Sequence, residues 1–295
     1  MTYIIMDLEW NNVYSKQLNS IFNEILEIGA VAVDDDLEII STFSELVRSR
    51  YTKKIKGRIQ NLTHITNEDM YGGVDFSTAI ADFSSWSYKM SAMGGGSVFM
   101  SWGDSDIRVM LENLRLIKGF DFIPFIKSYV DLQAYCQNVL HESGGKQLGL
   151  SAAATMLGID PSVYSTHRAL EDSLLAHRCL KQSFDAELIE QYTQTCDNKF
   201  FNKYIYKTRY ITSLRDPKLD KSKMTCYCDQ CKTPMKRMNA WKCVNKSFRA
   251  IFRCGTCGGC ALYQVQFKVR ANEVISKSRK TPLAPEDVPP GVFSE

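Results

Sequence analysis

The chain has 295 residues, 44% of them hydrophobic and 23% charged, and its formal net charge is +3 at pH 7. This length and composition predict a soluble globular protein with one large domain and a smaller one. No apolar run reaches the roughly 18 residues of a membrane-spanning helix, and no signal-peptide pattern opens the sequence. We therefore expect a cytoplasmic protein without a membrane partner.

Charge is distributed unevenly along the sequence. Residues 1–198 carry 16 Lys and Arg against 26 Asp and Glu, whereas residues 199–280 carry 20 against 4. This asymmetry predicts an acidic module joined to one that binds a polyanion, for which nucleic acid is the favoured candidate. The alternative is a lysine-rich surface that only faces solvent.

Strand and helix patterns follow one another in the first half of the chain. Strands are predicted at residues 3–9, 25–33, 37–47 and 98–102 and around Val130. Helices are predicted at residues 78–89, 107–116, 132–140, 148–157 and 169–182. Strands that meander first and then alternate with helices predict an α/β fold, in which helices flank a mixed sheet.

The composition changes along the second half of the chain. A first domain is predicted at residues 1–183, followed by a basic helical segment and linker at 184–222. Residues 223–275 form a cysteine-rich module with strand-like alternation. The last segment, residues 276–295, contains a proline-rich stretch that predicts disorder.

Two carboxylates end the first predicted strand, in the sequence "IMDLEW". Side chains alternate between the two faces of a strand, so Asp7 and Glu9 point the same way. Like charges side by side repel unless a cation lies between them, which favours a divalent metal site. The alternative is a frayed strand end with both carboxylates in solvent.

Further acidic residues follow at later elements. Asp104 and Asp106 lie between a strand and a helix, where acidic residues also serve as helix caps. His167 precedes a predicted helix that contains Asp172, so a histidine in the loop before that helix can approach the carboxylate. Each pattern is weak by itself, but together they indicate one metal-binding cluster.

The motifs "IMDLEW", "WGDSDIRVML" and "HRALEDSLLAHRCL" resemble those of the DEDDh family of 3′-5′ exonucleases, the DnaQ-like branch of the RNase H-like fold. The resemblance covers about residues 1–183, and the second motif is most similar to the KapD and histone-mRNA exonuclease group. In "LTHIT", His64 replaces a glycine that many relatives have. The resemblance implies an RNase H-like mixed sheet and a hydrolase that shortens nucleic acid from its 3′ end.

The resemblance also implies roles for individual residues. The implied catalytic residues are Asp7, Glu9, Asp106, His167 and Asp172. The four carboxylates would hold two Mg²⁺ or Mn²⁺ ions, with Asp7 bridging them, and His167 would be the general base. Asp106 is preferred to Asp104 because Met110 and Leu111 follow it at the spacing typical of the family.

Seven of the ten cysteines fall between Cys226 and Cys260. In a chain without a signal peptide, this clustering predicts a metal site in a reducing compartment. Two C-x2-C pairs, 22 residues apart, have the spacing of a structural zinc ribbon, and their members are Cys228, Cys231, Cys254 and Cys257. Cys226, Cys243 and Cys260 remain alternative ligands.

Aromatic residues lie among the lysines and arginines of the basic segment, a pattern typical of nucleic-acid binding. The candidate contacts are Tyr204, Tyr206, Lys236, Arg237, Trp241 and Phe248. The predicted function is a two-metal 3′-5′ exonuclease that acts on single-stranded nucleic acid, with RNA favoured, and releases nucleoside 5′-monophosphates. The alternatives are a DNA-directed exonuclease and an adaptor protein with a vestigial nuclease fold.

Overall fold

The structure is a computed structural model that describes residues 1–15, 20–55, 57–142, 147–164, 167–205, 209–270 and 273–284. The chain divides into two compact units, Met1–Ile205 and Tyr206–Glu295. Within the described ranges, no helix is both long and apolar enough to cross a lipid bilayer.

A six-stranded mixed sheet, as far as the first unit is described, has the order β3-β2-β1-β4-β5-β6. Its strands are β1 (Thr2–Ser15), β2 (Ser20–Val33), β3 (Ile39–Leu46), β4 (Ser97–Ser101), β5 (Ser128–Asp131) and β6 (Gln194–Thr195). β1 pairs antiparallel with β2 and parallel with β4. The mixed α/β sheet predicted from the sequence is confirmed.

Helices flank this sheet. They are α1 (Gly57–Thr63), α2 (Asn67–Gly72), α3 (Phe76–Met93), α4 (Ser105–Lys118), α5 (Leu132–Val139), α6 (Leu150–Met156), α7 (Ala169–Ser183), α8 (Ala186–Tyr192) and α9 (Asn198–Ile205). Alternation along β1 gives each face of the sheet its own core. Met6 and Leu8 pack with α3, α4 and α9, whereas Ile5 packs with α5, α6, α7 and α8. Asp7 shares the Ile5 face and therefore points towards α7.

The first unit extends past the domain boundary expected at residue 183. Phe200 and Phe201 of α9 are each 2% exposed and pack in the same core as α3 and α4. Burying two phenylalanine rings stabilises the docked helix by several kcal/mol, on the order of 1.5–3 kcal/mol for each ring. Residues 184–205 therefore belong to the first unit rather than to a linker.

The second unit is built on an antiparallel sheet. Its strands are β7 (Arg209–Tyr210), β8 (Lys236–Arg237), β9 (Lys242–Val244), β10 (Ser247–Arg253), β11 (Cys260–Arg270) and β12 (Glu273–Leu283). The main path is β12-β11-β10-β8, with β9 paired to β10 and β7 paired to β11. This arrangement confirms the predicted C-terminal β module.

The module is longer than expected from the sequence. Residues 276–283, expected to be part of a disordered tail, lie in β12 and pair with β11 as far as Leu283 opposite Cys260. β11 supplies hydrogen-bonding partners for this polar segment, which composition alone does not reveal. Residues 285–295 lie outside the described ranges.

Candidate active site and cysteine cluster

Asp7 and Glu9 lie on one face of β1, opposite Gly29 and Glu27 of β2. The strand does not fray after Glu9; it continues to Ser15, with a register shift just after Glu9. Both carboxylates are half-buried. The alternative of a frayed, fully solvated strand end is therefore excluded.

Helix α4 brings Asp106 next to β1. Asp106 is 3% exposed, and its Oδ1 accepts a hydrogen bond of 3.1 Å from the backbone N–H of Leu8. Asp104 is exposed at the N-cap position of α4, where its side chain makes no capping hydrogen bond. The structure thus places Asp106, and not Asp104, beside the first two carboxylates.

Helix α7 lies directly on β2 because Gly29 has no side chain. A Cβ atom at Gly29 would lie 2.1 Å from the carbonyl carbon of Ala169. This contact is too short for any residue with a side chain, so the position requires glycine. Ser173 Oγ also donates a hydrogen bond of 3.2 Å to Gly29 O. Since Gly29 pairs with Asp7 across the sheet, this close packing brings Asp172 of α7 to the carboxylates of β1.

An ion pair fixes the beginning of α7. Glu27 is 1% exposed, and Arg168 donates to it through Nη2 at 2.7 Å and Nε at 3.0 Å. The backbone N–H of Ala169 donates to the same carboxylate at 3.2 Å. A bidentate pair of this kind sets orientation as well as energy. Sequence analysis missed Gly29, Glu27 and Arg168, although Gly29 within an apolar strand signals close backbone approach.

His167 occupies the exposed position just before Arg168. Its backbone has φ +65°, a left-handed conformation that is costly for a non-glycine residue. Its N–H donates to Asp172 Oδ2 at 3.0 Å, which ties the loop to α7. Ligand atoms of Glu9, His167 and Asp172 lie within 4.8 Å of one another. The loop thus holds an imidazole beside two carboxylates and in contact with solvent.

The clustered carboxylates resist ionisation. Burial raises the pKa of Asp7 well above its usual range, and the charges of Asp106, Glu9 and Asp172 raise it further. Burial likewise raises the pKa of Glu9 to about 8 and that of Asp106 to about 7. A divalent cation relieves such repulsion, and oxygen ligands select hard cations. The donor set therefore fits ions such as Mg²⁺ or Mn²⁺.

The four predicted cysteines converge in the second unit. The sulfur atoms of Cys228, Cys231, Cys254 and Cys257 lie within 4.8 Å of one another. Backbone N–H groups of Cys257 and Thr256 lower the pKa of Cys254 to about 5, whereas hydrogen bonding with the thiol of Cys257 raises the pKa of Cys231 to about 12. Thiolate formation is thus already favoured at one sulfur, and thiolates are the metal-binding form.

The alternative cysteines lie elsewhere. Cys226 is buried with its sulfur 3.6 Å from Met235, Cys243 is exposed on β9, and Cys260 begins β11. All ten cysteines of the chain are free thiols. Among the described residues, the four-cysteine group consists of the two C-x2-C pairs, and none of these three cysteines belongs to it.

The aromatic side chains predicted to stack on bases in the second unit are packed inside it. Phe248 is 1% exposed and lies 6.2 Å from Phe267, measured between ring centroids. Trp241 is half-buried and contacts Phe252 edge-on, with centroids 5.6 Å apart. The burial of Phe248 shows that its predicted stacking role is wrong: its ring fills the core.

The remaining predicted contacts are divided between the units. Tyr204 belongs to α9 of the first unit and packs half-buried against Phe200. Lys236 and Arg237 are exposed in β8 of the second unit. Tyr206 lies outside the described residues.

Comparison with known proteins identifies the family. The family described as RNase_T: Exonuclease matches residues 4–180. The probable 3′-5′ exonuclease KapD of Bacillus subtilis (strain 168) is 30% identical over 184 residues, which cover 60% of this chain and 82% of KapD. Residues 4–180, matched by the family, contain all five residues of the carboxylate and histidine cluster.

Solved structures share the fold of the first unit. The nuclease domain of 3′hExo, a DEDDh family member bound to rAMP, matches with a TM-score of 0.52 at 20% identity, over 61% of this chain and 90% of that one. Cell-death related nuclease 4 (CRN-4) matches with a TM-score of 0.52 at 16% identity, over 66% and 65%. Membership of the DEDDh family implies divalent metal ions, and the carboxylate cluster offers suitable ligands for them. The chain belongs to the DEDDh exonuclease family and is a 3′-5′ exonuclease, a hydrolase.

Proposed function

We propose that the first unit hydrolyses single-stranded nucleic acid from the 3′ end with two divalent ions, prefers RNA, and releases nucleoside 5′-monophosphates. One observation carries the proposal: an imidazole and two carboxylates lie within 4.8 Å of one another, beside two further carboxylates whose pKa values are raised. Such a cluster is unfavourable without cations and suits phosphodiester hydrolysis with them.

The four carboxylates would hold the ions. Asp7 is the candidate for contact with both, because the charges of Asp106, Glu9 and Asp172 all act on its carboxyl group. When bound, two divalent ions stabilise negative charge on the attacking and leaving oxygens of a phosphodiester. Glu27 and Arg168 would position α7, so that Asp172 stays beside Asp7.

His167 is the candidate general base. An imidazole accepts a proton near neutral pH, and His167 is exposed, so water can reach it. The hydrogen bond from its N–H to Asp172 restrains the loop. A left-handed backbone at a non-glycine residue is frequent at functional sites, where strain is stored.

The preference for RNA is supported by the relatives. The 3′hExo nuclease domain is described as bound to rAMP, and another structure shows 3′-end specific recognition of a histone mRNA stem-loop by 3′-exonuclease. The latter matches this chain with a TM-score of 0.52 at 19% identity. We extend the binding of a ribonucleotide and of RNA described for those proteins to this chain, as a proposed preference for RNA.

The cysteine cluster is proposed to bind one structural zinc ion. Four thiolates complete a tetrahedral coordination sphere and leave no position for substrate. Because the cluster lies at the end of the sheet formed by β10 and β11, the ion would stabilise the second unit directly. Free thiols at all ten cysteines suit the reducing cytoplasm expected from the sequence.

Digestion of matched substrates tests the proposed function. A 5′-labelled RNA and a DNA of the same sequence are incubated with the protein and Mg²⁺ or Mn²⁺. We expect a ladder that shortens from the 3′ end, faster for RNA, with nucleoside 5′-monophosphates as products. Faster digestion of DNA would contradict the RNA preference. No shortening with either metal would favour the adaptor alternative.

A further inference from the structure

The sheet of the second unit has two different faces. Phe248, Ala250 and Phe252 of β10, with Val265 and Phe267 of β11, point into the hydrophobic cores of this unit. Side chains alternate along a strand, so the residues between them point to the opposite side. We name this opposite side the open face and define it by Lys236, Lys242, Arg249, Arg253, Gln264, Gln266, Lys277 and Arg279.

The open face carries a row of polar side chains in register. Lys242 pairs with Arg249, Arg249 with Gln264, and Gln264 with Arg279. Paired residues on antiparallel strands project from the same face, so the row crosses β9, β10, β11 and β12. With strands about 4.8 Å apart, the row is about 14 Å long.

Further cations flank this row. Lys277 of β12 pairs with Gln266 of β11, two residues along from the Arg279 pair. On the other side, Lys236 pairs with Arg253. The apolar pair of Ile251, which is 6% exposed, and Leu262 lies between the Lys236 pair and the polar row. Positive charge therefore lies on both sides of a short apolar strip of the open face.

Acidic residues of the described second unit lie away from these rows. Asp216 pairs with Arg209 at 2.6 Å, and Asp229 pairs with Lys280 at 2.6 Å. The other two described acids are Asp220, which caps a 3₁₀ turn, and Glu273, which begins β12 at the end of the sheet. Arg249 is half-buried, and its Nε is a buried atom without a hydrogen-bond partner among the described residues. The side chains of Lys236, Lys242, Lys277 and Arg279 are exposed, so their positive charge is accessible to a partner.

We propose that the open face binds the sugar-phosphate backbone of a single nucleic-acid strand without sequence preference. This inference rests on the proposed function, because it gives the substrate a second contact in a different unit. Lys and Arg neutralise phosphates, and Gln side chains donate hydrogen bonds to phosphate and sugar oxygens. A row of about 14 Å is long enough to contact consecutive phosphates of one strand.

The predicted binding mode differs from base stacking. The rings of Phe248 and Trp241 belong to the other face and pack inside the unit. Binding through backbone charge is independent of the bases and depends strongly on salt. The open face should therefore bind RNA and DNA of mixed sequence alike, and any preference for RNA would come from the first unit.

The test uses the full chain with three exposed cations of the open face neutralised: Lys242→Gln, Lys277→Gln and Arg279→Gln together. A control with the same loss of charge elsewhere in the unit combines Lys218→Gln, Lys221→Gln and Lys223→Gln, which are also exposed. Binding of a labelled 20-nucleotide RNA is measured by fluorescence anisotropy at several salt concentrations, without added Mg²⁺ or Mn²⁺.

Neutralising the open face should reduce the log-log salt slope by about 2, because each lost single-strand contact removes about 0.7. If the variant and the unchanged protein bind equally at 1 M salt, this change of slope makes the variant bind about 100-fold more weakly at 0.1 M salt. The control should bind nearly as the unchanged protein does. Both variants should hydrolyse a dinucleotide at the unchanged rate, since the first unit is untouched.

Equal affinity and slope in the two variants would overturn the inference. Unchanged RNA binding by the open-face variant, combined with lost binding to phosphatidylserine vesicles, would instead assign the face to a membrane surface. Failure of the proposed function is seen separately. It would appear as absence of dinucleotide hydrolysis by the unchanged protein, whatever the binding curves show.

Discussion

The carboxylate cluster and the cysteine cluster of this chain differ in how each depends on the packing of its unit. Two of the four carboxylates of the first unit, Asp7 and Glu9, lie on β1, where Ile4 and Ile5 are fully buried in two large cores. The cysteines of the second unit lie in turns, and Cys228 and Cys254 are themselves part of a small core. The first unit forms its site by packing, whereas the second unit depends on its site for packing.

The pKa shifts show the same contrast. Packing buries the carboxylates and brings them together, so burial first and mutual repulsion second raise the pKa values of Asp7, Glu9 and Asp106. In the cysteine cluster, backbone N–H groups lower the pKa of Cys254 to about 5. Loss of metal should therefore cost the first unit its activity and the second unit its fold, and the following predictions test that difference.

Asp7→Asn should have the largest effect on activity. The substitution removes the charge at the centre of the carboxylate cluster, and lost metal stabilisation worth several kcal/mol reduces hydrolysis by more than about 10³-fold. The first unit should remain folded, because the substitution also removes repulsion. Asp104→Asn is the matched control, since Asp104 is exposed and should leave the rate unchanged. Single-turnover digestion and thermal unfolding measure both effects; unfolding of the Asp7→Asn variant would contradict the contrast.

His167→Ala should reduce turnover by about 10² to 10⁴, the usual loss for a general base, while divalent metal binding is retained. His141→Ala is the control, because His141 is also exposed and has a left-handed backbone, with φ +55°. Calorimetric titration with Mn²⁺ separates the two roles. Loss of Mn²⁺ binding by the His167→Ala variant would make His167 a ligand rather than the base.

Cys254→Ser should unfold the second unit and abolish binding of one zinc ion per chain, since structural zinc supplies folding free energy. Dinucleotide hydrolysis should continue, because the carboxylate site depends on the first unit alone. Cys243→Ser, at an exposed thiol outside the cluster, should bind zinc normally. Metal analysis and dinucleotide assays check both variants. Retention of zinc by the Cys254→Ser variant would show that another residue completes the site.

The stabilising effect of Mn²⁺ should depend on pH. The metal-free native state keeps protons on Glu9 up to about pH 8, whereas the unfolded chain releases them near pH 4. The native state then binds more protons between these values, so stability falls as pH rises. Mn²⁺ replaces these protons more easily at pH 8 than at pH 6. The increase in Tm caused by Mn²⁺ should therefore be larger at pH 8, and an equal increase at both values would contradict the raised pKa.

His64→Gly should have the smallest effect, a stabilisation of about 1 kcal/mol. His64 follows α1 with φ +56°, and its N–H donates to Gln60 O at 2.9 Å, so it ends the helix in a conformation that glycine adopts freely. This conformation suits the glycine that the family resemblance implies at that place. His64→Ala keeps the strain and should give no gain; equal unfolding free energies for the two variants would contradict this explanation.

Much of the first site could be predicted from local patterns. The period of two along a strand puts Asp7 and Glu9 on one face, and the family resemblance favours Asp106 over Asp104. Gly29 and the Glu27 and Arg168 pair could not be predicted in the same way. Their roles depend on how α7 docks on β2, through contacts between residues more than 100 positions apart.

Burial within the basic segment could not be predicted, because composition does not determine which side chains are buried. Phe200 and Phe248 lie among lysines and arginines in the sequence, yet their rings fill the cores of two different units. The polar sequence of β12 likewise does not predict a strand, because the strand is stabilised by its pairing with β11. Charge patterns predicted a polyanion partner but not the face that would bind it.

Anomalous diffraction from a crystal soaked in Mn²⁺ would test the carboxylate cluster most directly. We expect two manganese peaks contacting oxygens of Asp7, Glu9, Asp106 and Asp172, with the first unit unchanged when the ions are absent. A zinc peak should lie among the four cysteine sulfur atoms. Manganese bound elsewhere, or no manganese at these four carboxylates, would contradict the proposal that packing of the first unit builds a two-metal hydrolytic site.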